Sequence, residues 1–354
     1  MARGGPRPVG EAFASLPVAV DAMGGDRAPG EIVAGARRPP RPFTVQVAEA
    51  TAIEVALVGR PGEMGDIGDL PVFPASEVIG MDDDPGHAVR RKKDSSLVRA
   101  AEAVRDGRAM AMVSAGNTGA TMASALLRMG RLPSVLRPAI ATPIPYPGGP
   151  WPTVLLDSGA NAECSPQMLV QFAQMGAAFA GKRYGIDRPR VALLSIGEEK
   201  SKGTPLEKEA YALLAEGGGG TAFEFVGNVE GRDFFEGKTD VIVTDGFTGN
   251  VALKTLEGSM RFLIGALTEI LGQPDVQATA DALYPHLLPL AAALDPENTG
   301  GAMLLGVDGV CVISHGSSSS VAVVNAITVA HDLAVGGLVE AVAASVTPVE
   351  TAAS

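Results

Sequence analysis

Two stretches of this chain place glycine, threonine and asparagine directly after a short apolar run: "VSAGNTGA", Val113 to Ala120, and "VTDGFTGN", Val243 to Asn250. In both, a helical pattern follows at once. A strand that turns through small polar residues into a helix leaves free backbone N–H groups at the helix start, where the helix dipole adds partial positive charge. Such a start favours an anion. Taken alone, the first loop fits a simple capped helix as well as a ligand cradle, with Asn117 or Thr118 as the cap. Two helix starts, at Asn117–Gly119 and Thr248–Asn250, strengthen the anion reading.

Other loops add chemistry. "DSGANAECSPQ", 157–167, brings Asn161 and a helix start at Ser165-Pro166. "SHGSSSS" sets His315 before a serine-rich cap, a position suited to proton transfer. "LSIGEEKSKG", 194–203, supplies Glu198, Glu199, Lys200 and Lys202. It reads either as a solvated charged loop or as a lysine that neutralises phosphate or a developing oxyanion. The nucleotide fingerprints GxGxxG and GxxxxGK[ST] are missing from the anion loops, and neither a GxSxG elbow nor HExxH occurs. Cys164 and Cys311 stand far apart without metal-ligand spacing. The pattern points to an α/β enzyme acting on a small phosphorylated or phosphate substrate.

The loops must be positioned by something, and the chain alternates accordingly. Apolar runs at 17–21, 55–60, 71–76, 109–116, 153–159, 190–197, 223–228, 240–246 and 309–316 read as strands buried on both faces. Helical patterns lie at 95–106, 118–129, 165–182, 203–216, 249–272 and 317–346. Strands separated by helices predict parallel βαβ units, and hence a three-layer α/β/α sandwich with a mostly parallel sheet. Ligands in such sheets sit at the carboxyl ends of the strands. Asp21, Ser114, Asn117, Asp157, Asn161, Asn228, Asp245, Asn250 and His315 are therefore expected along one rim. "RRPPRPF", Arg37 to Phe43, predicts a short or broken first crossover helix.

Composition sets outer bounds. Hydrophobic residues make up 46% of the 354, enough for a sizeable core, while 5% aromatics leave few rings to stack bases. The net charge of −12 argues against a nucleic-acid surface. Against it stands one basic block, "RRKK", Arg90 to Lys93, read as a solvated helix end or as a dock for an acidic partner or anionic substrate. No signal peptide or membrane span is expected, and the thiols fit a reducing cytoplasm. Residues 1–16 and 347–354 are expected to be flexible ends around a single 17–346 domain.

Taken together, "AVDAMGGDRAP", "RRKKDSS", "SAGNTGA", "LLDSGAN", "LLSIGEEKSKG", "GNVEGRDFFEGKTDVIVTDGFTGNVALKTLEG", "GGAMLLGVDG" and "HGSS" resemble the phosphate acyltransferase family, PlsX, in order from about residue 17 to about 335. That resemblance implies a fold like isocitrate and isopropylmalate dehydrogenases, and a reaction that needs no metal and no cofactor. It implies conversion of acyl-[acyl carrier protein] and inorganic phosphate into acyl-phosphate and free carrier, for bacterial phospholipid synthesis. It also implies a homodimer, with helices around 251–296 protruding as a dimer and membrane-surface contact, although Pro285 and Pro289 are expected to break a simple helix there. The next partner implied is a membrane glycerol-3-phosphate acyltransferase. On this basis phosphate is assigned to Ser114, Gly116, Asn117, Thr118, Gly119, Thr248, Gly249 and Asn250. Lys202 and His315 are the catalytic candidates, and Asp21, Asp157, Asn161, Asn228 and Asp245 organise loops. Arg90, Arg91, Lys92 and Lys93 would dock the acidic carrier. The alternatives are a phosphotransacetylase acting on acyl-coenzyme A and a non-catalytic scaffold in a lipid-synthesis complex.

Overall fold

Each short Val/Ile/Leu/Ala run becomes a strand and each amphipathic stretch a covering helix. The computed structural model describes residues 11–38, 53–217, 220 and 222–347. In chain order the elements are α1 (Glu11–Ala14), β1 (Val18–Asp21), α2 (Gly30–Ala36), β2 (Val55–Gly59), β3 (Val72–Pro74), α3 (Pro85–Arg91), α4 (Ser96–Arg105) and β4 (Ala111–Ser114). There follow α5 (Thr118–Arg128), β5 (Ala139–Ile144), β6 (Thr153–Leu156), α6 (Pro166–Tyr184), β7 (Arg190–Leu194), α7 (Pro205–Ala215), β8 (Glu224–Val229) and β9 (Val241–Val243). The chain continues through α8 (Gly246–Leu271), α9 (Gln277–Leu294), β10 (Ala302–Leu305), β11 (Val310–Ile313), α10 (Ser320–Val335) and α11 (Leu338–Ser345). Residues 1–10, 39–43 of the proline-rich stretch and 348–354 lie outside the described residues. Inside them, Phe13 and Leu16 of the expected N-terminal extension pack against the core, and α2 is short.

The strands form one sheet in the order β3-β2-β1-β4-β11-β10-β5-β6-β9-β7-β8. Pairing is parallel from β3 to β11 and again from β6 to β8. Between these blocks, β11/β10, β10/β5 and β5/β6 are all antiparallel. Three reversals are an odd number, so the two parallel blocks run in opposite directions. The single rim expected from the sequence is therefore corrected: β1, β4 and β11 end on one edge of the sheet, and β6, β7, β8 and β9 end on the other.

The core divides by face. One face carries Val18, Val20, Leu156, Val191, Val241 and their neighbours, packed with α2, α6, α10 and α11. On the other face, Ile140 belongs to the cluster formed with α4 and α5, while Ile144 belongs to the cluster touched by Ala252, Leu253 and Leu256 of α8. Ile140 and Ile144 are four residues apart on β5, so they point to the same side. Hence α5 and α8 flank one face of the sheet although they start at opposite edges.

Beyond its first turns α8 leaves the body. Phe262, Leu263, Ile264, Leu267 and Ile270 are exposed, as are Leu283, Tyr284, Leu288 and Leu290 of α9. The expected break at Pro285 and Pro289 does not occur, because α9 runs through both. Each proline removes one helical N–H donor. On a helix whose residues are mostly exposed, the freed carbonyls turn to water. The pattern at 317–346 splits instead into α10 and α11 at Gly336-Gly337, where Gly337 has φ of 70°.

Candidate active site

At the first edge three loops are bonded to one another. Asp21, at the end of β1, is 2% exposed. The Ser114 hydroxyl donates to Asp21 Oδ2 at 2.8 Å, and the Gly116 amide donates to Ser114 Oγ at 3.1 Å. Burial pushes the Asp21 carboxyl above its ordinary value, while the Ser96 and Ser114 hydroxyls and the Met23 and Gly24 amides pull the other way. A Cβ on Gly24 would lie 2.5 Å from Asp21 Oδ2 and 2.9 Å from the Gly116 nitrogen, so only glycine lets these two loops touch. The third loop joins through the Asp26 amide, which donates to the Gly316 carbonyl at 2.8 Å. His315 stands exposed on that loop. Its Nδ1 accepts from the Ser317 amide at 3.2 Å and lies 2.8 Å from the Ser317 hydroxyl. An accepting Nδ1 puts the proton of the neutral ring on Nε2, the nitrogen left to work on a ligand.

The α5 start sorts its amides into spent and free. Asn117 Oδ1 accepts from the Ala120 amide at 3.0 Å, and the Asn117 carbonyl accepts from the Thr121 amide at 2.9 Å. Asn117 Nδ2 donates to the carbonyls of Met81 at 2.8 Å and Asp83 at 3.3 Å. Ser114, Gly116 and the Asn117 side chain thus spend on the fold the groups that the sequence reading offered to phosphate. The Thr118 and Gly119 amides have no acceptor among the described residues and remain for an anion.

The basic run lies beside this start. Gly119 faces Pro85 so closely that a Cβ would sit 2.7 Å from the proline ring. Arg90, Arg91 and Lys93 are exposed. Lys92 is turned inward, its Nζ 2.5 Å from Asp83 Oδ2 and 2.9 Å from the Val78 carbonyl. A cavity of about 360 Å³ lined by Glu77, Asp83, Asp84, His87, Arg91 and Lys92 opens there.

The second edge is built differently. Asp157 is fully buried, and its carboxylate accepts from the amides of Ile140, Gly159, Ala160 and Asn161 and from Asn161 Nδ2, at 2.8 to 3.1 Å. Asn161 Nδ2 also donates to the Pro138 carbonyl at 2.8 Å. At the α8 start, Asp245 Oδ1 accepts from the Thr248 amide at 2.8 Å, and the Gly246 amide donates to the Asn161 carbonyl at 2.8 Å. The Gly249 amide donates to the Asp245 carbonyl at 2.9 Å, and a Cβ on Gly249 would fall 2.0 Å from the Asp157 carbonyl oxygen. These three amides are occupied, and the Phe247 amide has no acceptor among the described residues. The side chains of Thr248 and Asn250 are exposed, with Asn250 against Gly159.

Asn228 Nδ2 holds the Glu199 carbonyl at 3.0 Å and thereby the loop that carries Lys202. Lys202 is exposed and has no ion pair among the described residues. Burial pushes the Cys164 and Cys311 thiols each up to about 12, which leaves them protonated and unreactive.

Between the edges lies a feature that the sequence reading missed. Thr142 sits between Ile140 and Ile144 on the face flanked by α5 and α8, and it is the half-buried member of the three. Its hydroxyl is 2.6 Å from that of Ser158. "AIATPI", Ala139 to Ile144, lacks a run of branched residues and contains Pro143, so nothing in it signals a central strand with a polar floor.

The fold defines the class first. The chain superposes on EutD phosphotransacetylase from Staphylococcus aureus with a TM-score of 0.57 at 16% identity, covering 91% of this chain and 95% of that one. A phosphotransacetylase from Streptococcus pyogenes gives 0.59 at 18% identity, over 90% and 94%. At such identities the likeness concerns architecture. Sequence narrows it: the family model described as "Fatty acid synthesis protein" matches residues 16–340. A phosphate acyltransferase of Heliobacterium modesticaldum is 47% identical over 325 residues, 89% of this chain and 92% of that protein. The phosphate acyltransferase of Myxococcus xanthus is 47% identical over 326 residues, covering 90% of each. The chain belongs to the phosphate acyltransferase family, PlsX.

Proposed function

We propose that this enzyme transfers the acyl group of acyl-[acyl carrier protein] to inorganic phosphate, giving acyl-phosphate and free carrier for phospholipid synthesis. The observation that carries the reading is the pair of unspent amides, Thr118 and Gly119, at the start of α5. Phosphate is already an anion at neutral pH, so no protein nucleophile is required. One phosphate oxygen forms a bond to the thioester carbonyl carbon, the carbon–sulfur bond breaks, and the proton lost by hydrogen phosphate ends on the carrier's thiol. Phosphate rests on the α5 amides, with the Thr248 and Asn250 side chains reaching it from the α8 side. Lys202 offsets the developing oxyanion. The His315 Nε2–H hydrogen-bonds the leaving sulfur, which takes up the proton released by hydrogen phosphate.

Arg90, Arg91 and Lys93 receive the acidic carrier by charge complementarity. The exposed apolar faces of α8 and α9 join two copies into a homodimer and touch the bilayer surface, where a glycerol-3-phosphate acyltransferase takes the product. No single helix among the described residues is long and apolar enough to cross a membrane, and α9 carries no Lys or Arg, so this contact is apolar and peripheral. The site of action is the cytoplasm.

The likeness to two phosphotransacetylases favours a second reading, acyl transfer from acyl-coenzyme A to phosphate. Thiol release measured with phosphate and either long acyl-carrier protein or acetyl-coenzyme A separates the two. Turnover with the carrier substrate is expected; turnover confined to acetyl-coenzyme A overturns the first reading. No phosphate-dependent turnover with either leaves only a scaffold role.

A further inference from the structure

We infer that Asn117 is a positioning residue: it ties the basic face of α3 to the free amides of α5, so that a carrier protein docked on α3 presents its thioester at a fixed reach. The inference rests on the carrier-dependent reading above and adds to it a residue and a task.

The amide side chain of Asn117 offers one oxygen and two N–H groups. The oxygen takes the Ala120 amide, and the nitrogen donates to both the Met81 and Asp83 carbonyls. No donor is left over for phosphate. The residue works as a joint, with its oxygen in one helix start and its nitrogen in the loop leading to another.

That loop is itself braced. Asp83 Oδ2 accepts from the Gly80 amide at 2.8 Å and from Lys92 Nζ at 2.5 Å, while the same ammonium reaches the Val78 carbonyl at 2.9 Å. Asp84 Oδ1 accepts from the His87 amide at 2.8 Å and closes the first turn of α3. Residues 78–92 thus form one bonded unit. It meets α5 through the Asn117 nitrogen and through Pro85 against the bare Cα of Gly119, with buried Ala88 and Val89 in the same apolar cluster as Ala120 and Ala125. Lys92 is the strut inside the unit. Arg90, Arg91 and Lys93, which have no ion pair among the described residues, form its outer face.

A carrier delivers its thioester on a flexible arm, and the local concentration of the thioester at the site depends on how firmly the dock is placed relative to that site. If the joint is cut, α3 can still bind carrier, but the arm samples more positions. A thioester without a carrier does not use the dock.

Asn117→Ser tests this. Serine can still cap α5, and it removes both nitrogen donors. The ratio of kcat/KM for long acyl-carrier protein to kcat/KM for a short acyl thioester should fall about tenfold, the scale of one to two lost hydrogen bonds. Amide hydrogen exchange across residues 80–92 should speed up while α6 keeps its protection. Lys92→Met, at the far end of the brace, should lower the same ratio with the salt dependence retained. Arg91→Glu should lower it and flatten the salt dependence as well. An unchanged ratio in Asn117→Ser overturns the inference, as does a rise confined to the KM for phosphate, which makes Asn117 a phosphate ligand. If wild-type enzyme releases no thiol from the carrier substrate, the functional reading fails. Unchanged exchange across residues 80–92 in Asn117→Ser would then still refute the joint, and faster exchange would still support it.

Discussion

The loops at the two edges of the sheet resemble each other in sequence, and their structures differ in what they leave free. After β4, the "SAGNTG" loop spends Ser114, Gly116 and the Asn117 side chain on internal bonds and exposes two backbone amides at the α5 start. After β9, the "TDGFTGN" loop ties its helix start to the Asp245 carboxylate and the Asn161 carbonyl, leaving the Phe247 amide without an acceptor among the described residues and the Thr248 and Asn250 side chains exposed. An aspartate at a helix N-cap already fills the place an anion would take. A shared strand–glycine–helix pattern therefore does not imply a shared role. Here the first edge leaves the Thr118 and Gly119 amides free, and the second leaves the side chains of Thr248, Asn250 and Lys202 exposed.

The buried carboxylates break the comparison most sharply. Asp157 satisfies five N–H donors of the second edge, and Asp157→Ala leaves four backbone amides without an acceptor while Asn161 Nδ2 keeps only the Pro138 carbonyl. We expect a loss of about 3–5 kcal/mol in chemical denaturation, with the α8 start disordered first. A loss below about 1 kcal/mol would show that the second edge is not organised by this residue.

The next effect is on turnover. Lys202→Ala should reduce phosphate-dependent thiol release about 10- to 100-fold with little change in the thermal midpoint, since the side chain is exposed and unpaired among the described residues. Wild-type turnover removes Lys202 from the site. The smallest effect concerns Asp21. Its folded carboxyl holds a proton to higher pH than the ordinary value of 3.8, so folding binds a proton in that window and stability falls as pH rises through it. Asp21→Asn should lose that slope, read as the pH dependence of the thermal midpoint. A slope equal to the wild type assigns it to another group.

Much of this was legible beforehand. The runs "PVAVD", "AMVS", "TVLL", "RVALL" and "VIV" became strands because Val, Ile and Leu buried on both faces leave no other outcome. The helix starts at Asn117 and Ser165 were marked by capping residues, whereas α8 begins at Gly246 behind Asp245, ahead of the start expected at Thr248–Asn250. What escaped were β5 and β10, "AIATPI" and "AMLL", whose small residues and proline give no strand signal. Those two strands reverse the sheet, so missing them turned two edges into one. Strand direction is a product of long-range pairing and leaves no local trace. The spent or free state of each loop amide escaped for a similar reason, because the partners of Asn117 lie more than thirty residues away.

In the proposed reaction phosphate rests on the free amides of α5. Thr118→Pro tests it most directly, because proline at the first helical position removes one amide while fitting the helix. Asn117 before it is already extended, with φ of −55° and ψ of 115°, as a residue preceding proline requires. The KM for phosphate should rise about 10- to 100-fold with the thermal midpoint retained, the scale of one charge-assisted hydrogen bond. An unchanged KM for phosphate in the folded variant would contradict the account.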